Sequence, residues 1–210
     1  MNGLISKSDT KKLMEELFSK ADQTQDKFKY DFLRHSESTY KIAKETACDI
    51  IRNDPKLKIY SYEVAIAGYL HDIGRPLSVN QNFHEIRGAL YIKNKGYEVG
   101  IAENKRDLER LAQMIMPHFI VYEEFLNKNY SGWGEFSKID ALILLPKSIE
   151  QKIIVYADLS NRCGIEMNFR ERLKSIRKNR FHDRGFMNAF ERGEKRIIEV
   201  CEEIELLRKN

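Results

Sequence analysis

Cysteine is scarce in this chain, with 3 in 210 residues, and Cys48, Cys163 and Cys201 are scattered along it. An odd, unclustered set argues against a disulfide framework and fits a reducing compartment. Long apolar runs are missing as well. The longest useful one, Ala141 to Leu145, stops at Pro146, far short of the ~18 residues that a membrane span needs. Met1 to Asp9 lacks the apolar stretch of a secretory signal. These absences lead to the expectation of a cytoplasmic protein without membrane contact. The net charge of +4 is too mild to argue by itself for a nucleic-acid partner. There is no internal repeat, no low-complexity linker and no convincing strand alternation.

What is present is helical periodicity. The spacing predicts helices over about 9–20, 25–53, 62–72, 84–95, 104–116, 148–161, 169–180 and 186–209, with stops at Asp54-Pro55 and Gly96. Ser148 and Gln151 have the spacing of a capping box. With 42% hydrophobic and 32% charged residues, the expected fold is an all-α globular protein, one domain over residues 1–210. The least helical stretch, an insertion over about 127–146, holds the single tryptophan in Tyr130-Ser131-Gly132-Trp133-Gly134-Glu135-Phe136.

Within this pattern, Leu70-His71-Asp72-Ile73-Gly74-Arg75 ends an apolar helix with two adjacent metal-ligand side chains and a turn. On a helix, Val64, Ala67, Gly68 and His71 share one face, so His71 points where the core points. The small Ala67 and Gly68 leave room for a neighbouring helix. His35 has the same placement, with Phe28 and Phe32 before it and Thr39 and Ile42 after it on one stripe. Asp158 follows Ile154 and Val155, where an unpaired buried carboxylate would cost several kcal/mol. A second His-Asp pair, His182-Asp183, lies between Arg180 and Arg184 with no apolar face and reads as exposed.

His35, His71-Asp72 and Asp158, in that order along a helical chain, resemble the H…HD…D signature of the HD-domain metal-dependent phosphohydrolase superfamily. The form His71-Asp72-Ile73-Gly74 matches its HDIG motif letter for letter, and the resemblance covers about residues 27–161. Two further histidines lie between the HD pair and the last aspartate. They are His84, in an H-x-x-x-G-A run to Ala89, and His118, which follows Pro117. The six-ligand order is similar to that of bacterial HD-type diadenosine tetraphosphate hydrolases and of binuclear HD phosphodiesterases. The resemblance implies an HD-domain helical bundle, here with a C-terminal helical extension over about 169–209. It also implies two metal ions, with Asp72 bridging, His35, His71 and Asp158 on one, and His84 and His118 on the other. Pro117 and the forty residues or so between His118 and Asp158 depart from compact relatives.

Four imidazoles and two carboxylates without a thiolate suit a divalent Fe or Mn first, with Co, Ni, Mg or Zn as alternatives. Two such ions would outweigh the two carboxylates, attract phosphate and make hydroxide available at neutral pH. The expected function is therefore a metal-dependent phosphohydrolase cleaving a phosphate ester or anhydride of a small phosphorylated compound, a nucleotide or dinucleoside polyphosphate foremost. Asp72 and Arg75 are the expected catalytic residues. Arg75 and Arg162 are candidates for binding the phosphate, and Trp133 for stacking on a base.

Beyond Asp158 the chain turns basic, with Arg170, Arg172, Lys174, Arg177, Lys178, Arg180 and Arg184 against only Glu171 and Asp183. This segment reads as a solvated helix face, a phosphate-steering rim or a nucleic-acid contact. Two other functions stay open at this point, a binuclear-iron oxygenase and a non-enzymatic nucleotide- or RNA-binding protein. Homo-oligomerisation is open too.

Overall fold

The computed structural model describes residues 3–20, 26–77 and 82–209, with the backbone alone over 26–30. The side chain of Phe28, expected on the stripe of His35, thus lies outside the described residues. The helices are α1 (Lys7–Lys20), α2 (Asp26–Asn53), α3 (Ser61–Leu70), α4 (His84–Lys95), α5 (Lys105–Ile115), α6 (Val121–Phe125), α7 (Ile149–Leu159), α8 (Phe169–Arg180) and α9 (Arg184–Lys209). The fold is an all-α bundle, as expected.

Local signals explain most helix starts. Asn104 accepts from the Asp107 amide at 3.0 Å to open α5, and Asn168 accepts from that of Arg170 at 2.9 Å to open α8. The Ser148 capping box opens α7 as expected. Its Gln151 does more, because the side-chain amide also donates to the Gln113 carbonyl at 2.9 Å. Pro117 has no N–H to reach that carbonyl four residues back, so the glutamine supplies the missing donor and ties the end of α5 to the start of α7. Met116 nevertheless keeps helical dihedrals, φ −60° and ψ −46°, in spite of the proline after it.

Helices α2, α3, α5 and α7 pack on one another around the main core, in which Ile50, Ile66, Leu70, Ile73, Ile153 and Ile154 are fully buried. Each such side chain contributes roughly 1.5–3 kcal/mol on burial. Gly68 lets α3 lie close against α2, since a Cβ there would come within 3.1 Å of both the Ala43 methyl and the Thr39 carbonyl oxygen. Helix α9 covers α7, α2 and α6, and α8 sits against α9 and α7.

Four expectations need correction. Helix α3 ends at Leu70, so His71, still with helical dihedrals of φ −55° and ψ −34°, and Asp72 stand on the turn after it. Helix α7 ends at Leu159, and residues 161–166, expected to be strand-free, form a small antiparallel hairpin pairing Asn161 with Glu166 and Arg162 with Ile165. Its two-residue loop has Cys163 at φ 51° and Gly164 at φ 87°, the left-handed pair that suits the twist of a tight hairpin. Helix α6 lies between the expected helices, and two 3-10 turns, Trp133–Phe136 and Ala141–Leu144, occupy the insertion over 127–146. There a second apolar cluster of Phe83, Ile86, Val121, Phe125, Phe136 and Leu144 supplies the burial that the local sequence does not announce.

Among the described residues no helix is long and apolar enough to cross a membrane, and all three cysteines are free.

Candidate metal centre

The six candidate ligands come from five separate places in the fold: α2 (His35), the turn after α3 (His71, Asp72), the first residue of α4 (His84), the turn after α5 (His118) and the last turn of α7 (Asp158). His71 and His118 use the same device. Each lies just past a helix end, and its Nδ1 is hydrogen-bonded to the carbonyl three residues back, Gly68 at 2.7 Å and Ile115 at 2.6 Å. A carbonyl only accepts, so Nδ1 carries a proton in both rings and Nε2 is the nitrogen left to face inward.

The Nδ1 atoms of the other two imidazoles also face polar groups. His35 Nδ1 lies 2.6 Å from Asn161 Oδ1. The orientation of that amide is settled by its nitrogen, which donates to Thr39 Oγ1 and the Ala157 carbonyl, each at 3.0 Å. His84 Nδ1 lies 3.3 Å from the carboxylate of the buried Glu85.

All four Nε2 atoms converge. His71 Nε2 is 3.2 Å from His35 Nε2 and 3.7 Å from Asp158 Oδ1, and His35 Nε2 is 2.9 Å from the same oxygen. On the other side, Asp72 Oδ1 is 2.9 Å from His84 Nε2 and 3.8 Å from His118 Nε2, while Asp72 Oδ2 is 3.6 Å from His71 Nε2. Three sets of donor atoms lie within 4.8 Å of one another: His35 with His71 and Asp72, His71 with His118 and Asp158, and Asp72 with His84 and His118. Two imidazole nitrogens facing each other at 3.2 Å need a cation or proton between them. A metal ion fits that need, and the donor set of nitrogens and carboxylate oxygens fits a divalent one.

Electrostatics agree with the geometry. Burial, against the opposing pull of Asp72 and Asp158, pushes His71 down to about 4, so it is a neutral imidazole near pH 7. Burial acts on Asp72 the other way, yet Arg75, His71 and the adjoining His118 and His84 hold its carboxyl well below the usual range. Burial would also depress His118, but the Asp72 carboxylate 3.8 Å away, with Glu85 and Asp158 nearby, raises it to about 9.

The cluster opens into a cavity of about 440 Å³, the size of a small-ligand site. His35, Asp72 and Asp158 line its floor, and Arg75, Arg162, Arg172 and Arg180 line it together with Phe32, Phe119, Ile176 and Phe186. Arg75 places Nε 2.8 Å from Asp72 Oδ2 and stacks over the Phe32 ring at 5.1 Å. Arg162 sits on the hairpin, with Nη1 3.2 Å from Ser175 Oγ.

Trp133 is not brought to this cavity. Its indole N–H donates to the Phe125 carbonyl at 2.9 Å and its ring packs on Phe125 at 6.0 Å, because the apolar surface nearest the insertion is the second cluster and not the centre. Trp133→Phe should therefore cost about 1 kcal/mol of stability, the worth of one hydrogen bond, and leave the ratio of rates on any two substrates unchanged. Denaturant melts and parallel assays check this. His182 is exposed, as expected, and Asp183 caps α9 by accepting from the Phe186 amide at 3.0 Å.

Sequence reasoning passed over Asn161, Glu85, Arg172 and Arg180 as parts of this site. Glu85 adjoins His84 and Asn161 stands three residues after Asp158, but neither position has a spacing that signals its role. No family model matches the sequence, and no curated protein or solved structure does either.

Proposed function

We propose that the chain is an HD-type, metal-dependent phosphohydrolase acting on a small phosphorylated compound. The observation that carries this reading is the inward convergence of four imidazole Nε2 atoms on Asp72 and Asp158, three of the rings hydrogen-bonded from behind at Nδ1 and the fourth, His84, with Nδ1 beside Glu85. Such an arrangement costs stability unless something cationic is held there, since the histidines and acids are taken out of water together. The order of the six residues and the His71-Asp72-Ile73-Gly74 motif add the family resemblance.

A divalent ion, or a pair of them, at this position supplies a water of lowered pKa and a Lewis acid for phosphoryl oxygens. The rest is the work of the chain itself. Asp72 reaches both groups of donors and keeps its negative charge at neutral pH. Arg75, with Nε 2.8 Å from Asp72 Oδ2 and its side chain on the cavity wall, is placed to bind a phosphoryl oxygen and stabilise charge that develops on it. Phe32, Phe119 and Phe186 exclude water from the non-phosphoryl part of the ligand and leave the charged contacts in a low-dielectric setting.

Anaerobic purification, elemental analysis and phosphate-release assays on a nucleotide panel with Mn, Fe, Co, Ni and Mg test the proposal. Stoichiometric metal together with turnover supports it. Metal-free protein with no turnover under any of these ions would sink it, and turnover that depends on air would point to oxygen chemistry. His84→Ala removes a donor found only in the set with Asp72, and His118→Ala one that this set shares with His71 and Asp158, so in each variant metal content is expected to fall from two ions per chain to one, read by elemental analysis of the purified variants. Because His118 loses its proton when a metal takes its place, loading near pH 7 should also release protons, measurable with an indicator dye.

A further inference from the structure

The basic helix α8 divides its cations between two environments. On one side Arg170 pairs with Glu202, Lys174 with Glu171 at 2.8 Å, and Arg177 with Glu194 at 2.7 Å and Glu191 at 3.4 Å. These charges are spent on stabilising the α8–α9 contact and its surface. On the other side Arg172, Ile176, Asn179 and Arg180 follow one another at helical spacing along the cavity wall, joined there by Arg162 from the hairpin. Among the described residues none of Arg162, Arg172 and Arg180 makes an ion pair. Arg172 is half-buried, and its Nε is buried without a hydrogen-bond partner. Leaving a guanidinium N–H in that state is costly. Arg180 is held over the Phe186 ring at 4.6 Å, which positions its fork without neutralising it.

We propose that Arg162, Arg172 and Arg180 form a second anion subsite, which binds the phosphoryl groups beyond the one at the metal centre. The ligand class is accordingly a compound with two or more phosphoryl groups in series, in preference to a simple phosphate monoester. That the chain is cut at the metal end rests on the hydrolase reading; the binding preference does not. Arg172 and Arg180 are eight residues apart, or about 12 Å along the helix axis, a span over which a single phosphate is poorly served by both. Three cations beyond Arg75 also exceed what one phosphoryl group requires. The modest volume of the cavity, about 440 Å³, favours a free polyphosphate compound over a nucleic-acid strand.

Titration calorimetry on the full chain, both chelator-treated and metal-loaded, tests this with inorganic orthophosphate, inorganic tripolyphosphate and a thymidine hexanucleotide as probes. Tripolyphosphate is expected to bind at least ~30-fold more tightly than orthophosphate. Arg172→Gln and Arg180→Gln should each weaken tripolyphosphate about tenfold, the worth of one charge-assisted contact, and change orthophosphate by less than about twofold. Arg177→Gln, on the paired face, should change neither. Arg180 is exposed, so its variant decides the matter if Arg172→Gln fails to fold. Equal losses for both inorganic probes, or no loss for either, would overturn the subsite. Hexanucleotide binding as tight as tripolyphosphate with the same arginine dependence would overturn the polyphosphate assignment. An intact arginine-dependent preference without any phosphate release would remove the hydrolase reading and keep the subsite, whereas rapid monoester hydrolysis with no polyphosphate preference would do the reverse.

Discussion

Asp72→Asn should lower phosphate release by ~10³-fold or more, about 4 kcal/mol of barrier, and strip most of the bound metal, while the helical content survives. Asp72 lies within 4 Å of three of the imidazoles, those of His71, His84 and His118, and of Arg75 as well. Asparagine keeps its shape and removes its charge. The metal-free protein should then lose about 3–5 kcal/mol of stability, because the half-buried Arg75 guanidinium and the buried His118 imidazolium are left without their counter-ion.

The pH dependence separates this from simple damage. Asp72 has a folded-state pKa below its unfolded value, so its contribution is present above about pH 4 and is lost as pH falls further toward the folded value. His118 is the opposite case, raised to about 9 first against burial and then by Asp72. Its contribution is complete below about pH 6.5 and disappears as pH rises through 9. Metal-free wild-type protein should therefore weaken between pH 6.5 and 9, and Asp72→Asn should show a much flatter profile over that window. Denaturant titrations at pH 5, 7 and 9 measure both effects. A variant with more than a tenth of the wild-type rate, or with unchanged metal content, would remove Asp72 from the centre of the mechanism.

How much of this was legible in the amino-acid sequence depends on how local each cause is. The inward faces of His35 and His71 follow from helical spacing with Thr39, Ile42, Val64 and Ala67, and the Ser148–Gln151 box follows from four residues. Asn161 is different. It anchors a histidine 126 positions away in the chain, and its usefulness arises only after α2 and α7 have packed together. The same holds for Arg172 and Arg180. Their spacing relative to Arg170, Lys174 and Arg177 tells which cations share a face, but not that one face would meet the acids of α9 and the other the cavity. Trp133 shows the limit from the other side: a lone aromatic in a glycine-flanked loop goes to whichever apolar surface is nearest, and Phe125 lies only eight residues away.

Gly74→Ala should be the most damaging change of a single methyl group in the chain. Gly74 has no positive φ to explain it; proximity does. A Cβ at this position would lie 1.9 Å from the His84 carbonyl oxygen and 2.6 Å from the Gly88 amide nitrogen, both main-chain atoms of the first turns of α4 that no side-chain rotation can move. Gly88 meets it from the opposite side, where an added Cβ would come within 3.0 Å of the Gly74 nitrogen and 3.1 Å of Ile73 Cγ2. The glycines of the His71-Asp72-Ile73-Gly74 motif and of the His84–Ala89 run are therefore two halves of one contact, which seats the turn bearing Asp72 against the helix bearing His84 and sets their 2.9 Å approach. Relief of the clash requires α4 to retreat by more than an ångström, so the loss is expected to exceed ~3 kcal/mol, the upper end for ordinary overpacking, or roughly 6–12 °C in Tm for a chain of this size. Gly88→Ala, whose clashes a slight shift can absorb, should cost about 1 kcal/mol. Because His84 moves with α4, Gly74→Ala should also lose metal from the His84–His118 side first. Thermal melts with elemental analysis of both variants decide it: a Gly74→Ala protein as stable and as metal-rich as Gly88→Ala would mean that the turn and the helix do not meet in this way.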